Sequence, residues 1–282
     1  MRVKKFEKNK YILSKEGIWV RDLCNPSTKN LDINKLYSKE KKYWLDNEFN
    51  NLKKSRSDLP PIQYENIVIC SDGFGWEQKQ ETLASLPYDS IKIIGTNGSL
   101  SRWNMVGSSA KVKRAMSFYV VNNPYEECCS YLPKKHSYYP NLISSLRTNK
   151  YFINEYKGDM FFYRPSNDLD YSSPPNMLNL YLDDYRNPIC AALSLSYKLG
   201  AKKILLFCCD DAFEDERPNS IKMENGLYQY PQQIMSQNII DKQIYWLKNN
   251  GIKIFDHSSG IKYEHAEYIN QEHMLSFFQR SE

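Results

Sequence analysis

Apolar residues in this chain fall into short runs separated by polar loops. The clearest run is Lys202-Lys203-Ile204-Leu205-Leu206-Phe207-Cys208-Cys209. Nearly continuous apolar sequence of this length and β-rich composition suits a strand buried on both faces of a parallel sheet. A helix signal precedes it. Asn187 can cap the first turn, Pro188 sits where its missing N–H would have been unpaired anyway, and Gly200 ends the helix. Similar runs predict strands at Asn66–Cys70, Ile91–Gly95, Ser117–Val121 and Ile252–Phe255, and a weaker one at Asp159–Tyr163. Helices are predicted from Trp76 to Leu86 and from Gln232 to Asn249, the second opened by Pro231 and closed by Gly251. Strands alternating with helices give an α/β fold: a Rossmann-like, doubly wound, mostly parallel sheet with helices on both faces.

The pattern changes at Asp58-Leu59-Pro60-Pro61, so residues 61–282 are expected to form the α/β domain and residues 1–60 a basic, largely helical extension. The extension holds 15 Lys and Arg against 8 Asp and Glu, whereas the whole chain carries a formal charge of only +5. The α/β part is therefore slightly acidic, which argues against a specific nucleic-acid surface. In the extension, Lys39, Lys41, Lys42, Lys53, Lys54 and Arg56 interleave with Trp44, Leu45, Phe49 and Leu52, as in an amphipathic helix with a solvated face. Weak contact with a membrane surface through 1–60 is the competing use of such a segment. No apolar stretch reaches the roughly 20 residues that span a bilayer, and no signal-peptide core follows the lysine-rich start, so a cytoplasmic location is expected. Seven cysteines without a CxxC spacing point to reduced, mostly buried thiols. The Ser-, Pro- and Asn-rich stretch Arg164–Leu182 reads as a lid or a surface excursion.

Parallel strands place their carboxyl-end loops on one edge of the sheet, where ligands of such folds bind. Five loops there carry candidate chemistry. Ser71-Asp72-Gly73-Phe74-Gly75 has glycines that let backbone N–H groups approach a phosphate. Asn97, within Thr96–Trp103, and Asn123, in Asn122-Asn123-Pro124, carry amides able to read a base or ribose. Asp210-Asp211 closes the main strand with acids that could hold Mg²⁺, although a strand-end Asp also simply turns the chain. Asp256-His257-Ser258-Ser259-Gly260 offers a general base or acid in His257, and a phosphate cradle in Ser258 and Ser259. A strand-end His held by a backbone carbonyl is the plainer account of His257. His136, beside Lys134 and Lys135, is a further candidate that a solvated loop explains equally well.

In order and spacing these loops resemble a superfamily. It joins the archaeal 6-hydroxymethylpterin diphosphokinase (MptE-like) domain, the motility-associated flagellin glycosyltransferases and the bacterial CMP-sialic-acid sialyltransferases. The likeness covers roughly residues 62–270, and Asn187 through Asp210 is its most specific part. The family's first loop is Gly-Asn-Gly-Pro-Ser-like, where this chain has Ser71–Gly75. Where the sialyltransferases carry a His before the penultimate helix, this chain has Ile234-Met235-Ser236-Gln237. The resemblance implies a nucleotide-dependent group transferase, foremost a glycosyltransferase using a CMP-sugar or another nucleotide sugar and an acceptor the sequence does not name. An ATP- and Mg²⁺-dependent pyrophosphokinase is the alternative, and a non-catalytic nucleotide-binding or interaction module the second. In the first reading Asp72, Gly73, Gly75, Asn97, Asn123, Ser258 and Ser259 bind the nucleotide, Asp210 and Asp211 hold metal or orient the sugar, and His257 moves a proton.

Overall fold

The computed structural model describes residues 11–13, 19–21, 44–54, 59, 62–103, 116–133, 138–166, 180–210, 212, 214–216, 220–229, 231–260 and 262–277. The chain divides into two compact units, Met1–Asp46 and Asn47–Glu282. In the smaller, strands β1 (Tyr11–Leu13) and β2 (Trp19–Arg21) pair antiparallel. Of residues 1–60, expected to be a largely helical extension, the described ones form this ribbon and one helix over residues 44–52, α1. Lys39, Lys41, Lys42 and Arg56 lie outside the described residues.

The larger unit is built on nine strands in the order β13-β12-β9-β3-β4-β5-β6-β7-β8, every neighbouring pair parallel. From the centre they are β3 (Asn66–Cys70), β4 (Lys92–Thr96), β5 (Met116–Val121), β6 (Asn141–Ser145), β7 (Met160–Pro165) and β8 (Tyr181–Leu182) on one side. On the other are β9 (Lys203–Phe207), β12 (Lys253–Asp256) and β13 (Glu267–Tyr268). Each apolar run expected to be a strand is one. Lys202–Cys209 shortens to β9, whose Ile204 to Phe207 are fully buried, as a strand covered on both faces must be.

Two apolar layers sandwich the sheet. Val68, Cys70, Leu205 and Phe207 point to one, with Trp76, Leu83 and Phe152. Ile67, Ile69, Ile204 and Leu206 point to the other, with the helices α5 (Pro188–Lys198) and α6 (Pro231–Asn249). The remaining helices are α2 (Gln80–Ala84), α3 (Ser99–Trp103), α4 (Lys150–Glu155) and α7 (Gln271–Phe277). α5 starts as its sequence dictates: Asn187 Oδ1 accepts the Ile189 N–H at 2.8 Å, with Pro188 in the first turn. Gly200 and Gly251, at φ 78° and 83°, end α5 and α6 in the left-handed conformation that glycine adopts without strain. A short antiparallel ribbon, β10 (Ile221–Lys222) with β11 (Tyr228–Gln229), precedes α6. No helix among the described residues is long and apolar enough to cross a membrane.

The chain lays β4 to β8 on one side of β3, then returns to lay β9, β12 and β13 on the other. The reversal point therefore lies between β3 and β9. Register brings the strand ends level there, with Cys70 opposite both Phe207 and Gly95.

Candidate functional site

At this reversal point the loops after β3, β9 and β12 are tied together by one side chain. Asp210 Oδ1 accepts the Phe74 N–H at 2.9 Å and Oδ2 accepts the Gly260 N–H at 2.5 Å. Its backbone carbonyl accepts from Gln229 Nε2 at 3.0 Å. The residue is 1% exposed. The glycines explain how the acid fits. A Cβ on Gly73 would overlap Asp210 Oδ1 and stand 2.5 Å from the Cys208 carbonyl oxygen, and one on Gly260 would overlap Oδ2. Cys208, at φ 52°, holds a strained left-handed turn directly after β9, and its carbonyl accepts the Gly73 N–H at 2.9 Å. Burial pushes the Asp210 carboxyl up to about 7, Asp256 adds to the rise, and the N–H groups of Gly260 and Phe74 act against it.

The first glycine loop turns one N–H, that of Phe74, to the protein's own Asp210 carboxyl. The Phe74 and Gly260 amides are thus taken up by Asp210, the Gly73 amide is taken up by the Cys208 carbonyl, and each Asp210 carboxyl oxygen accepts one N–H. Asp211 lies outside the described residues. Asp72 has the same relation to the next loop. A Cβ on Gly98 would overlap its Oδ2, burial raises its pKa, and Arg102 opposes the rise. Asn97, at φ 52°, directs Nδ2 to Ser71 Oγ at 3.4 Å, and its carbonyl accepts from Tyr119 Oη at 2.5 Å. Gly75, at φ 81°, is closed over by Ser259, whose Oγ would stand 2.7 Å from a Cβ there.

After β12, Ser258 Oγ accepts the Cys209 N–H at 3.1 Å and its own N–H goes to Asp256 Oδ1 at 2.9 Å, so Ser258 braces the loop. Asp256 Oδ2 is buried without a partner among the described residues. His257 is buried; its Nδ1 lies 2.8 Å from the Ile269 carbonyl, which as acceptor fixes the proton on Nδ1 and leaves Nε2 as the imidazole's acceptor. Burial lowers its pKa, the Ile269 carbonyl opposes this, and Lys79 adds to the lowering, so the ring is neutral near pH 7.

Lys79 is the residue the sequence did not announce. One turn beyond the glycine loop, it donates through Nζ to the His257 carbonyl, while Asp210 and Asp256 offset the burial that lowers its pKa. A lysine closely following a strand-end glycine loop was the available signal. The structure therefore brings together Asp72, Gly73, Gly75, Asn97, Asp210, His257, Ser258 and Ser259. Asn123 shares their edge of the sheet, but its Oδ1 accepts the Tyr125 N–H of its own loop. Beside it Asn122 Nδ2 lies 3.4 Å from Asp184 Oδ2, which also accepts from Tyr163 Oη at 2.9 Å. His136 lies outside the described residues.

No protein-family model matches the chain, and no curated protein matches it in sequence. Among solved structures it is similar to a MAf glycosyltransferase from Magnetospirillum magneticum AMB-1. The TM-score is 0.62 at 15% identity, over 83% of this chain and 38% of that one. The chain thus spans well under half the length of that glycosyltransferase and shares with it the Rossmann-like α/β fold.

Proposed function

We propose that the protein is a glycosyltransferase that takes a nucleotide-activated sugar at the carboxyl edge of its sheet. The observation that carries this reading is the meeting of four strand-end loops at the β3/β9 reversal point, the place where open α/β sheets bind ligands. The fold likeness to a glycosyltransferase supports the class of reaction.

In this reading Asp210 is a positioning residue that locks the loop amides. Lys79 and Arg102 meet the donor's phosphate charge. Asn97 and the Asn122–Asn123 turn hold the nucleoside, and His257, kept neutral with Nε2 as acceptor, takes the acceptor hydroxyl's proton. A pyrophosphokinase relies on Mg²⁺ to neutralise phosphate charge, and it is the less favoured reading because both Asp210 oxygens already accept loop N–H groups.

A thermal-shift panel of CMP, UDP, GDP, ADP and ATP, with and without Mg²⁺, tests the proposal, because a ligand bound only by the native state raises the melting temperature by mass action. At least one of CMP, UDP or GDP should raise it, and Lys79→Ala and Asn97→Ala should abolish the shift. Stabilisation by ATP with Mg²⁺ alone, or by none of the five, would overturn the reading.

A further inference from the structure

At the opposite edge of the sheet, α5 and α6 end and β9 and β12 begin. Gly200 and Gly251 reverse the chain there, and the local sequence puts aromatic and basic side chains together. Tyr197 and Trp246, near the ends of the two helices, are 44% and 49% exposed although they touch each other, ring centroids 5.1 Å apart. Lys198, Lys202, Lys248 and Lys253 are all exposed around them. Backbone bonds hold these segments side by side: Lys253 N to the Lys202 carbonyl at 2.9 Å, Gly251 N to Lys248 at 2.9 Å, and Ile252 N to Leu247 at 3.2 Å. Acids lie at the margin. Glu65 is exposed at the start of β3, and Asp241, farther back on α6, is bonded by His265 through its N–H at 2.9 Å and Nδ1 at 2.6 Å.

We propose that this edge is a docking surface for an anionic lipid bilayer. Trp and Tyr rings favour the headgroup level, where the apolar body is buried and the polar tip stays wet. Lysines supply positive charge on long stems that reach past the rings toward the same surface. Among the described residues no arginine stands in the patch to supply the planar fork that reads nucleic-acid phosphates in fixed geometry, so charge complementarity favours a diffuse anionic surface. The proposal places the contact on a different part of the chain from the basic segment 1–60. It is also independent of the transferase reading, since the candidate site lies at the other end of the strands.

Co-sedimentation of the full chain with vesicles of phosphatidylcholine, or of phosphatidylcholine mixed with phosphatidylglycerol, tests it. Binding is expected to the mixed vesicles alone and to fall as salt rises. Trp246→Ala, and separately the charge reversal of Lys198, Lys202 and Lys253 to Glu, should each weaken it at least about tenfold. All these positions are exposed, and melting temperature verifies that the variants fold; the charge reversal gives a second route should Trp246→Ala be unstable. Equal binding to both vesicle types, no binding to either, or variants that bind as the parent does would overturn the proposal. So would a lipid-free dimer, seen by sedimentation velocity, that the same substitutions dissolve.

Discussion

A carboxylate at a strand end is ambiguous until its oxygens are followed to their partners. Asp210 was legible as important because it closes the most apolar run of the chain, but its geometry assigns it to holding the loops. Replacing it with Asn leaves one acceptor and turns an amide NH₂ toward either the Phe74 or the Gly260 N–H. Asp210→Asn is therefore expected to lose about 2 kcal/mol of stability, read as a lower urea midpoint. An unchanged midpoint would return the residue to direct chemistry. His257 makes a pH prediction. Its folded pKa lies below the ordinary 6.5, so the unfolded chain binds the proton more tightly. Its contribution to stability is complete above 6.5 and is lost as pH falls through the lower folded value. Melting temperatures measured from neutral to mildly acidic pH should fall less steeply in His257→Gln than in the parent. Neither partner set was readable from sequence, because Phe74, Gly260 and Ile269 meet these side chains only once separate strands align.

Elements were more legible than contacts, and the misses have physical reasons. β6 escaped notice because Asn141-Leu142-Ile143-Ser144-Ser145 has two apolar residues in five, and the burial of Ser144 and Ser145 follows from the strands flanking it, not from its own composition. β8 and β13 are two-residue edge strands, too short for any periodicity. The Asn187 cap, by contrast, is written locally, and Asn187→Ala should cost about 1 kcal/mol of stability without altering the sheet. Two glycines separate loop packing from loop conformation. A Cβ on Gly73 meets both Asp210 and the backbone carbonyl of Cys208, which cannot move without unseating β9, whereas a Cβ on Gly98 meets only the end of the Asp72 side chain. Gly73→Ala is thus expected to lower the urea midpoint by the equivalent of roughly 2 kcal/mol or more, and Gly98→Ala by clearly less. Equal losses would show that Asp72 is as rigidly seated as the β9 backbone.

For the molecule as a whole, the sequence pattern changes at Asp58–Pro61, and the larger compact unit takes in the chain from Asn47 onward. The reason lies on one face of α1. Asn47 Nδ2 lies 3.2 Å from the carbonyls of both Pro124 and Arg147, and its Oδ1 accepts the Lys150 N–H at 3.2 Å. Asn51 Nδ2 reaches the Leu146 and Thr148 carbonyls at 2.8 Å each. Glu48 Oε1 accepts from Arg147 Nε at 2.9 Å, and both of these residues are buried. Spacing of i, i+1 and i+4 puts all three side chains on one helical face, where they satisfy the polar loop between β6 and α4. A chain beginning at Trp44 keeps this face. One beginning at Ile62 strips the loop of those partners and takes Glu48 away from the Arg147 guanidinium. The shorter chain should therefore melt far below the longer one, or fail to fold. Comparing it with Glu48→Gln in the full chain would show how much of the loss belongs to the ion pair alone. If the chain from Ile62 melted with the longer one, α1 would be an appendage and the boundary at Pro60-Pro61 would stand.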